Sequence, residues 1–289
     1  MSDIECVWPV GAILGEGPVW SAAEQALWFV DIKAPAIHRF DPVSGARRSW
    51  PAPARVGFVL PTSTGGWIAG LKTGLHKFNP ETGNFVLLHV VEPHAPSNRL
   101  NDGFVDSSGF LWFGSMDDTE EEPSGALYQL TDAGPQRRDP GYVVSNGPAE
   151  SPDGRVLYHT DTLAGIIYAF DRGPDGLTNK RVFVRFGPGE GYPDGPIVDA
   201  EGCVWTGMFG GWGLHRFSPK GELLTTLKLP CSAVTKAAFA GEDLKTLYIT
   251  TAHVALDAEQ RKQQPLAGGL FRVRVDVPGL PQGIVSHGL

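Results

Sequence analysis

Four oxygen-bearing side chains recur at one offset in this chain. Counting back 11 or 12 residues from Trp28, Trp112, Tyr158 and Trp205 gives Glu16, Asn101, Asn146 and Asp194. Gly57 and Val56 stand 10 and 11 residues before Trp67, and Lys236 and Ala237 stand 12 and 11 before Tyr248. A single such residue is ordinary turn or cap chemistry, but turns need no common direction, and four in register imply one. Carboxylates brought together repel, so one takes up a proton unless a cation sits between them. Glu16 and Asp194 with the amide oxygen of Asn146 form an all-oxygen donor set. Such a set suits Ca²⁺, Mg²⁺, Mn²⁺ or Fe²⁺, with Zn²⁺ also admitted. Three protein donors leave positions open for water and substrate, which is what a Lewis-acid catalyst needs.

The elements that position these residues are read from a repeat. Tyr192 to Thr206 reads as a short strand from Pro196 to Val198, a turn at Asp199, Glu201 and Gly202, and a second strand led by Val204 and Trp205. Related stretches surround Trp28, Trp67, Trp112, Tyr158 and Tyr248, with successive gaps of 39, 45, 46, 47 and 43 residues. A third-strand marker follows each aromatic: Ile37–Phe40, Leu75–Phe78, Leu127–Leu130, Ile167–Phe170, Leu214–Phe217 and Leu270–Val273. Pro/Gly turns come next (Pro42 to Gly45, Pro80 to Gly83, Pro174 to Gly176, Pro219 to Gly221), then fourth strands such as Leu223 to Leu229. Periods of this length in strand-and-turn units mean a propeller. The expectation is all-β: a six-bladed β-propeller, four antiparallel strands per blade, one domain over residues 1–289. Each first strand starts at the rim of the central channel, where a metal would sit, and the loop between second and third strands reaches the same face. Residues near Glu5 to Trp8 are expected to add an outer strand to the sixth blade. Only Ala255 to Gln264 looks helix-competent.

Composition narrows the partners. The 289 residues carry a net charge of −8 with no basic run, which argues against nucleic acid or an anionic membrane surface. The first twenty residues contain no Lys or Arg and no continuous apolar run, so neither a signal peptide nor a membrane span is read there. Cys6, Cys203 and Cys231 share no metal-binding spacing and are read as buried free thiols of a cytoplasmic, monomeric protein. His38, His76 and His215 occupy one third-strand position and are read as half-exposed packing residues. His159 and His89 fall in strands, and His94 and His253 in loops, where they stay open.

Gly15-Glu16-Gly17-Pro18-Val19-Trp20, Asn98-Arg99-Leu100-Asn101-Asp102-Gly103, Ser145-Asn146-Gly147 and Pro193-Asp194-Gly195 resemble the signature segments of the senescence-marker-protein/gluconolactonase/luciferin-regenerating family. Leu71–Gly74, Tyr158–Thr162 and Pro265–Gly269 look especially like the bacterial sugar-acid lactonases, xylonolactonase and arabinonolactonase among them. The resemblance implies one divalent metal in the channel, held by Glu16, Asn146 and Asp194, and substrate contacts from Arg99 and Asn101. Where relatives carry an acidic substrate contact, this chain has Met116-Asp117-Asp118, so Asp118 is the candidate and Asp117 its competitor. The implied activity is hydrolysis of a small sugar lactone, a pentonolactone such as xylonolactone or arabinonolactone, with Asp194 also accepting the proton of the attacking water. Phe209 and Trp212 offer an apolar wall. The alternatives are a gluconolactonase, a non-catalytic regulatory propeller that binds divalent cations, and a scaffold propeller that binds proteins on its rim.

Overall fold

The structure is a computed structural model and describes residues 3–173 and 176–289. Apolar strands punctuated by Asx and Gly turns fold into antiparallel sheets, in a β-propeller-like arrangement. The first sheet takes Gly15–Ser21, Ala26–Asp31, Ala36–Phe40 and Arg47–Pro51 in that order. The second takes Val56–Pro61, Trp67–Leu71, Gly74–Asn79 and Asn84–His89. Asn98–Val105, Leu111–Asp117, Gly125–Thr131 and Gly134–Tyr142 form the third. Ser145–Glu150, Val156–Asp161, Ile166–Gly173 and Gly176–Arg185 form the fourth.

The other eight strands make one sheet of two four-stranded halves. Tyr192–Val198, Val204–Phe209, Gly213–Phe217 and Leu223–Lys228 form one half. Ala233–Ala240, Thr246–Ala252, Leu270–Arg274 and Glu5–Trp8 form the other. The halves meet at a single pair, Phe209 with Ala233. Glu5–Trp8 pairs with the strand Leu270–Arg274, as the sequence led us to expect. The first strand of each group contacts the first strand of the next, and Ala233–Ala240 contacts Gly15–Ser21, so these inner strands close a ring.

The six marker aromatics all lie on second strands, and Trp28 stacks on Trp50 and packs on Trp67 between the first two sheets. Asp106 and Asp199 clamp two of the hairpins. Each accepts turn N–H groups and the indole N–H six residues on, Trp112 at 2.7 Å and Trp205 at 2.9 Å.

The strand expected from Pro196 begins at Tyr192. Pro193 and Pro196 flank a break in its register, where missing N–H groups do no harm. The helix is shorter than expected, Ala258–Gln263, capped by Asp257 and Gln260. In the turn from Pro174 to Gly176, Pro174 and Asp175 lie outside the described residues. His38 and His76 are buried rather than half-exposed, because their rings pack inside the sheets and bond to Ser49 Oγ and the Gly74 carbonyl; His215 is half-buried. Cys203 and Cys231 are buried free thiols, but Cys6 is only partly covered because its strand is the outermost. No helix among the described residues is long and apolar enough to cross a membrane.

Candidate active site and metal centre

Every inner strand breaks register at its start. The breaks fall at Glu16/Val19, Val56/Phe58, Leu100/Gly103, Asn146/Ala149, Pro193/Pro196 and Val234/Ala237. A bulge leaves residues unpaired and re-aims their side chains, so the strict in-out alternation of a strand is suspended there. Glu16, Asn101, Asn146 and Asp194 all sit at these breaks and line one cavity of about 380 Å³. Arg99, Lys33, Tyr192 and Phe209 line it too, with residues from the loops after the second strands, among them Glu120, Leu163 and Val254. The second sheet contributes no polar group because Gly57 is there, and a Cβ on it would lie 1.9 Å from the Asn101 carbonyl oxygen.

Glu16 and Asp194 are each about 5 % exposed. Each carboxylate accepts the N–H of the next residue, Gly17 at 2.8 Å and Gly195 at 2.9 Å. Burial, then the neighbouring Asp102 charge, pushes Glu16 up to about 7, opposed by the Gly17 N–H, Lys236 and a hydrogen bond with Asp194. Burial and the Glu16 charge raise Asp194 well above the ordinary carboxylate range. Two acids held this way require protons or a cation.

The donor set fits a hard cation. Two carboxylates supply the charge, and the third oxygen, Asn146 Oδ1, is oriented by Asn101 Nδ2 at 2.9 Å while Asn146 Nδ2 donates to Thr162 Oγ1 at 2.9 Å. Among the described residues no three His, Cys, Asp or Glu side chains gather as a metal-binding group.

Asn101 is a connector. It donates to Asn146 and to the Ser145 carbonyl and accepts from Arg99 Nη1 at 2.6 Å. Arg99 in turn donates through Nε to Asp118 Oδ1 at 3.0 Å, and among the described residues no hydrogen bond engages its Nη2. Asp118 also receives Arg55 and Lys72, whereas Asp117 faces its own loop and accepts Thr119 Oγ1 and the N–H groups of Glu121 and Glu122. Burial works to raise Asp118, but the hydrogen bonds from Lys72 and Arg55 and the Arg99 charge outweigh it and hold the carboxyl low.

The structure thus brings Glu16, Asn101, Asn146, Asp194 and Arg99 around one cavity, with Asp118 one bond behind Arg99. Phe209 lines the cavity; Trp212 does not and is 47 % exposed. Neither His94 nor His253 lines it. Burial drives His159 down to about 3 and His38 to about 4, so both rings are neutral near pH 7.

Two channel residues escape the count from the aromatics. Asp102 is 2 % exposed, and Lys236 donates to both of its oxygens at 2.6 and 2.7 Å. Lys236 is one of the two positions that the offset yields in the last repeat, and an ammonium is no oxygen donor. Asp102 follows the selected Asn101, and only a register break lets both neighbours turn inward.

The SMP-30/Gluconolactonase/LRE-like sequence profile matches residues 14–253. A 6-deoxy-6-sulfogluconolactonase of Pseudomonas putida is 36 % identical over 286 residues, 98 % of each chain. The regucalcin of Oryctolagus cuniculus is 33 % identical over 96 % of each chain. Among solved structures, a calcium-binding protein, regucalcin, from Agrobacterium tumefaciens superposes with a TM-score of 0.93 at 25 % identity, covering 97 % of this chain and 96 % of that one. The inward-facing segments and the whole-chain match agree, and the chain belongs to the SMP-30/gluconolactonase/LRE-like family.

Proposed function

We propose that this protein is a metal-dependent lactone hydrolase opening sugar-acid lactones to aldonates, on a single-domain, six-bladed propeller in which the eight-stranded sheet counts as two blades. The carrying observation is one sugar-sized cavity that gathers two charge-deficient buried carboxylates, an oriented amide oxygen and an arginine whose Nη2 is free among the described residues. The named activity of the Pseudomonas putida relative supports it and favours a hexonolactone, with xylonolactone and arabinonolactone as the pentonolactone options.

Glu16, Asn146 and Asp194 would hold a divalent cation, and the calcium-binding Agrobacterium tumefaciens relative supports that class of ion. When bound, the cation supplies Lewis-acid polarisation of an ester carbonyl. Asp194 accepts the proton of the attacking water and returns it to the ring oxygen as the carbonyl carbon–oxygen bond breaks. Arg99 Nη2 and the remaining lone pair of Asn101 Oδ1 hold sugar hydroxyls. Asp118 positions Arg99 rather than offering a free carboxylate, since its oxygens are taken by Arg55, Lys72 and Arg99.

The test is a panel of pentono- and hexonolactones with metal-stripped protein and each divalent ion in turn. Hydrolysis above the spontaneous rate that depends on added metal supports the reading. Metal binding without hydrolysis of any lactone would instead make the protein a cation-binding relative of regucalcin.

A further inference from the structure

Four cations gather beside the cavity, Lys33 and Arg99 in its lining and Arg55 and Lys72 behind it on Asp118. Arg55, Lys72 and Arg99 converge on Asp118. A buried Arg99–Asp118 pair is already balanced, so Arg55 and Lys72 are not needed to neutralise it. Lys33 lines the same cavity with Glu120, and its ammonium has neither hydrogen bond nor ion pair among the described residues. Burial, then the charges of Arg55 and Arg99, lowers the Lys33 pKa, with Glu120 and Asp118 pulling the other way. Four cations therefore share two carboxylates in a protein of net charge −8. Like charges gathered in a half-buried site are destabilising until an anion joins them.

This group is joined to the acidic centre. Asp118, Arg99, Asn101 and Asn146 form one hydrogen-bonded chain, so the cationic group and the carboxylates border the same cavity. A volume of about 380 Å³ takes a six-carbon sugar acid with a substituent.

We infer that the substrate is a lactone carrying an anionic group (sulfonate, phosphate or carboxylate) away from its ring ester, bound by Lys33 and Arg99 with Arg55 and Lys72 adding positive charge from behind Asp118. This rests on the lactonase reading above. The ester lies at Glu16 and Asp194, and the substituent displaces water from the ammonium and guanidinium groups. The charge of this group also draws the anion in from solution, an attraction that salt screens.

The experiment compares gluconolactone with its 6-sulfonate, 6-phosphate and 6-carboxylate counterparts, in low and high salt, for wild type, Lys33→Met and Arg55→Gln. At least one anionic lactone should exceed the neutral one in kcat/KM by tenfold or more. That advantage should shrink several-fold in 0.5 M salt, on the order of the screening expected when the Debye length falls below 5 Å. Lys33→Met and Arg55→Gln should each lower the anionic-to-neutral ratio fivefold or more, and the best anion identifies the substituent. Equal kcat/KM for neutral and anionic lactones, or ratios unmoved by both variants, overturns the inference and leaves the lactonase reading standing. If no lactone is opened, calorimetry with gluconate and 6-phosphogluconate decides. Binding of only the phosphorylated acid, weakened by Lys33→Met, sustains the anion site without the activity, and equal or absent binding overturns it.

Discussion

Lys236 grips both oxygens of Asp102, at 2.6 and 2.7 Å, across the channel and across 134 residues of sequence. Asp102 also receives the N–H groups of Gly103 and Gly147, both at 2.8 Å. One of the three channel carboxylates is thereby fully satisfied. Glu16 and Asp194 are left with one backbone N–H each and a hydrogen bond to each other, and that asymmetry marks them as the pair that needs a proton or a cation.

Lys236→Met should leave Asp102 buried and uncompensated. Breaking one partner of a buried ion pair costs about 3–5 kcal/mol. Urea unfolding should show that loss, and Lys236→Met with Asp102→Asn should recover most of it. Calorimetric titration should show tighter divalent-ion binding in the single variant, because a third negative charge then faces the site. Unchanged unfolding would mean that the pair contributes nothing net.

Asp194→Asn keeps the shape and an oxygen but removes the charge and the proposed proton acceptor. Lactone opening should fall by on the order of 10²-fold or more even at saturating metal. Asn146→Ala removes a neutral donor and should be partly rescued by raising metal, so rate against metal concentration separates the two. Near-native turnover of Asp194→Asn at saturation would leave Asp194 a ligand only.

His159 should make the fold acid-sensitive. Its folded pKa of about 3 lies below the ordinary 6.5, so the unfolded chain binds the extra proton between those values. The stability contribution is therefore complete above pH 6.5 and lost as pH falls towards 3, at about 1.4 kcal/mol per unit. His159→Gln should flatten the slope of unfolding free energy between pH 6 and 4 by that amount. An identical slope in the variant would show that the ring is protonated in the native state.

Asp199 tests the hairpin clamp. Asp199→Ala strips partners from the Trp205 indole, the Arg216 guanidinium and two turn N–H groups. Arg216 keeps its ion pair with Glu201, so the loss is that of buried donors left unpaired, about 1–3 kcal/mol. Metal affinity measured below the unfolding transition should stay the same, because Asp199 lies at the far end of its strand from Asp194.

The aromatic spacing made the sheets legible because each Trp or Tyr recurs on a second strand where neighbouring sheets need a large side chain. The same spacing located Glu16, Asn101, Asn146 and Asp194, since a fixed distance back along a hairpin is a fixed height in the channel. It did not find Asp102, because an alternating strand turns adjacent residues to opposite faces, and no residue type announces the bulge that lets Asn101 and Asp102 share one. Nor did it find the three cations on Asp118. Arg55, Lys72 and Arg99 come from different strands and loops, and only the packing of the second sheet on the third brings them together.

Closure of the ring sets an order of events during synthesis. The strand Glu5–Trp8 leaves the ribosome long before its partner, Leu270–Arg274, is made. Lys236 likewise reaches Asp102 only when the final inner strand is in place. Half-made chains carry Glu16 and Asn146 without Asp194, so the proposed donor set is complete only once the fifth inner strand has been made.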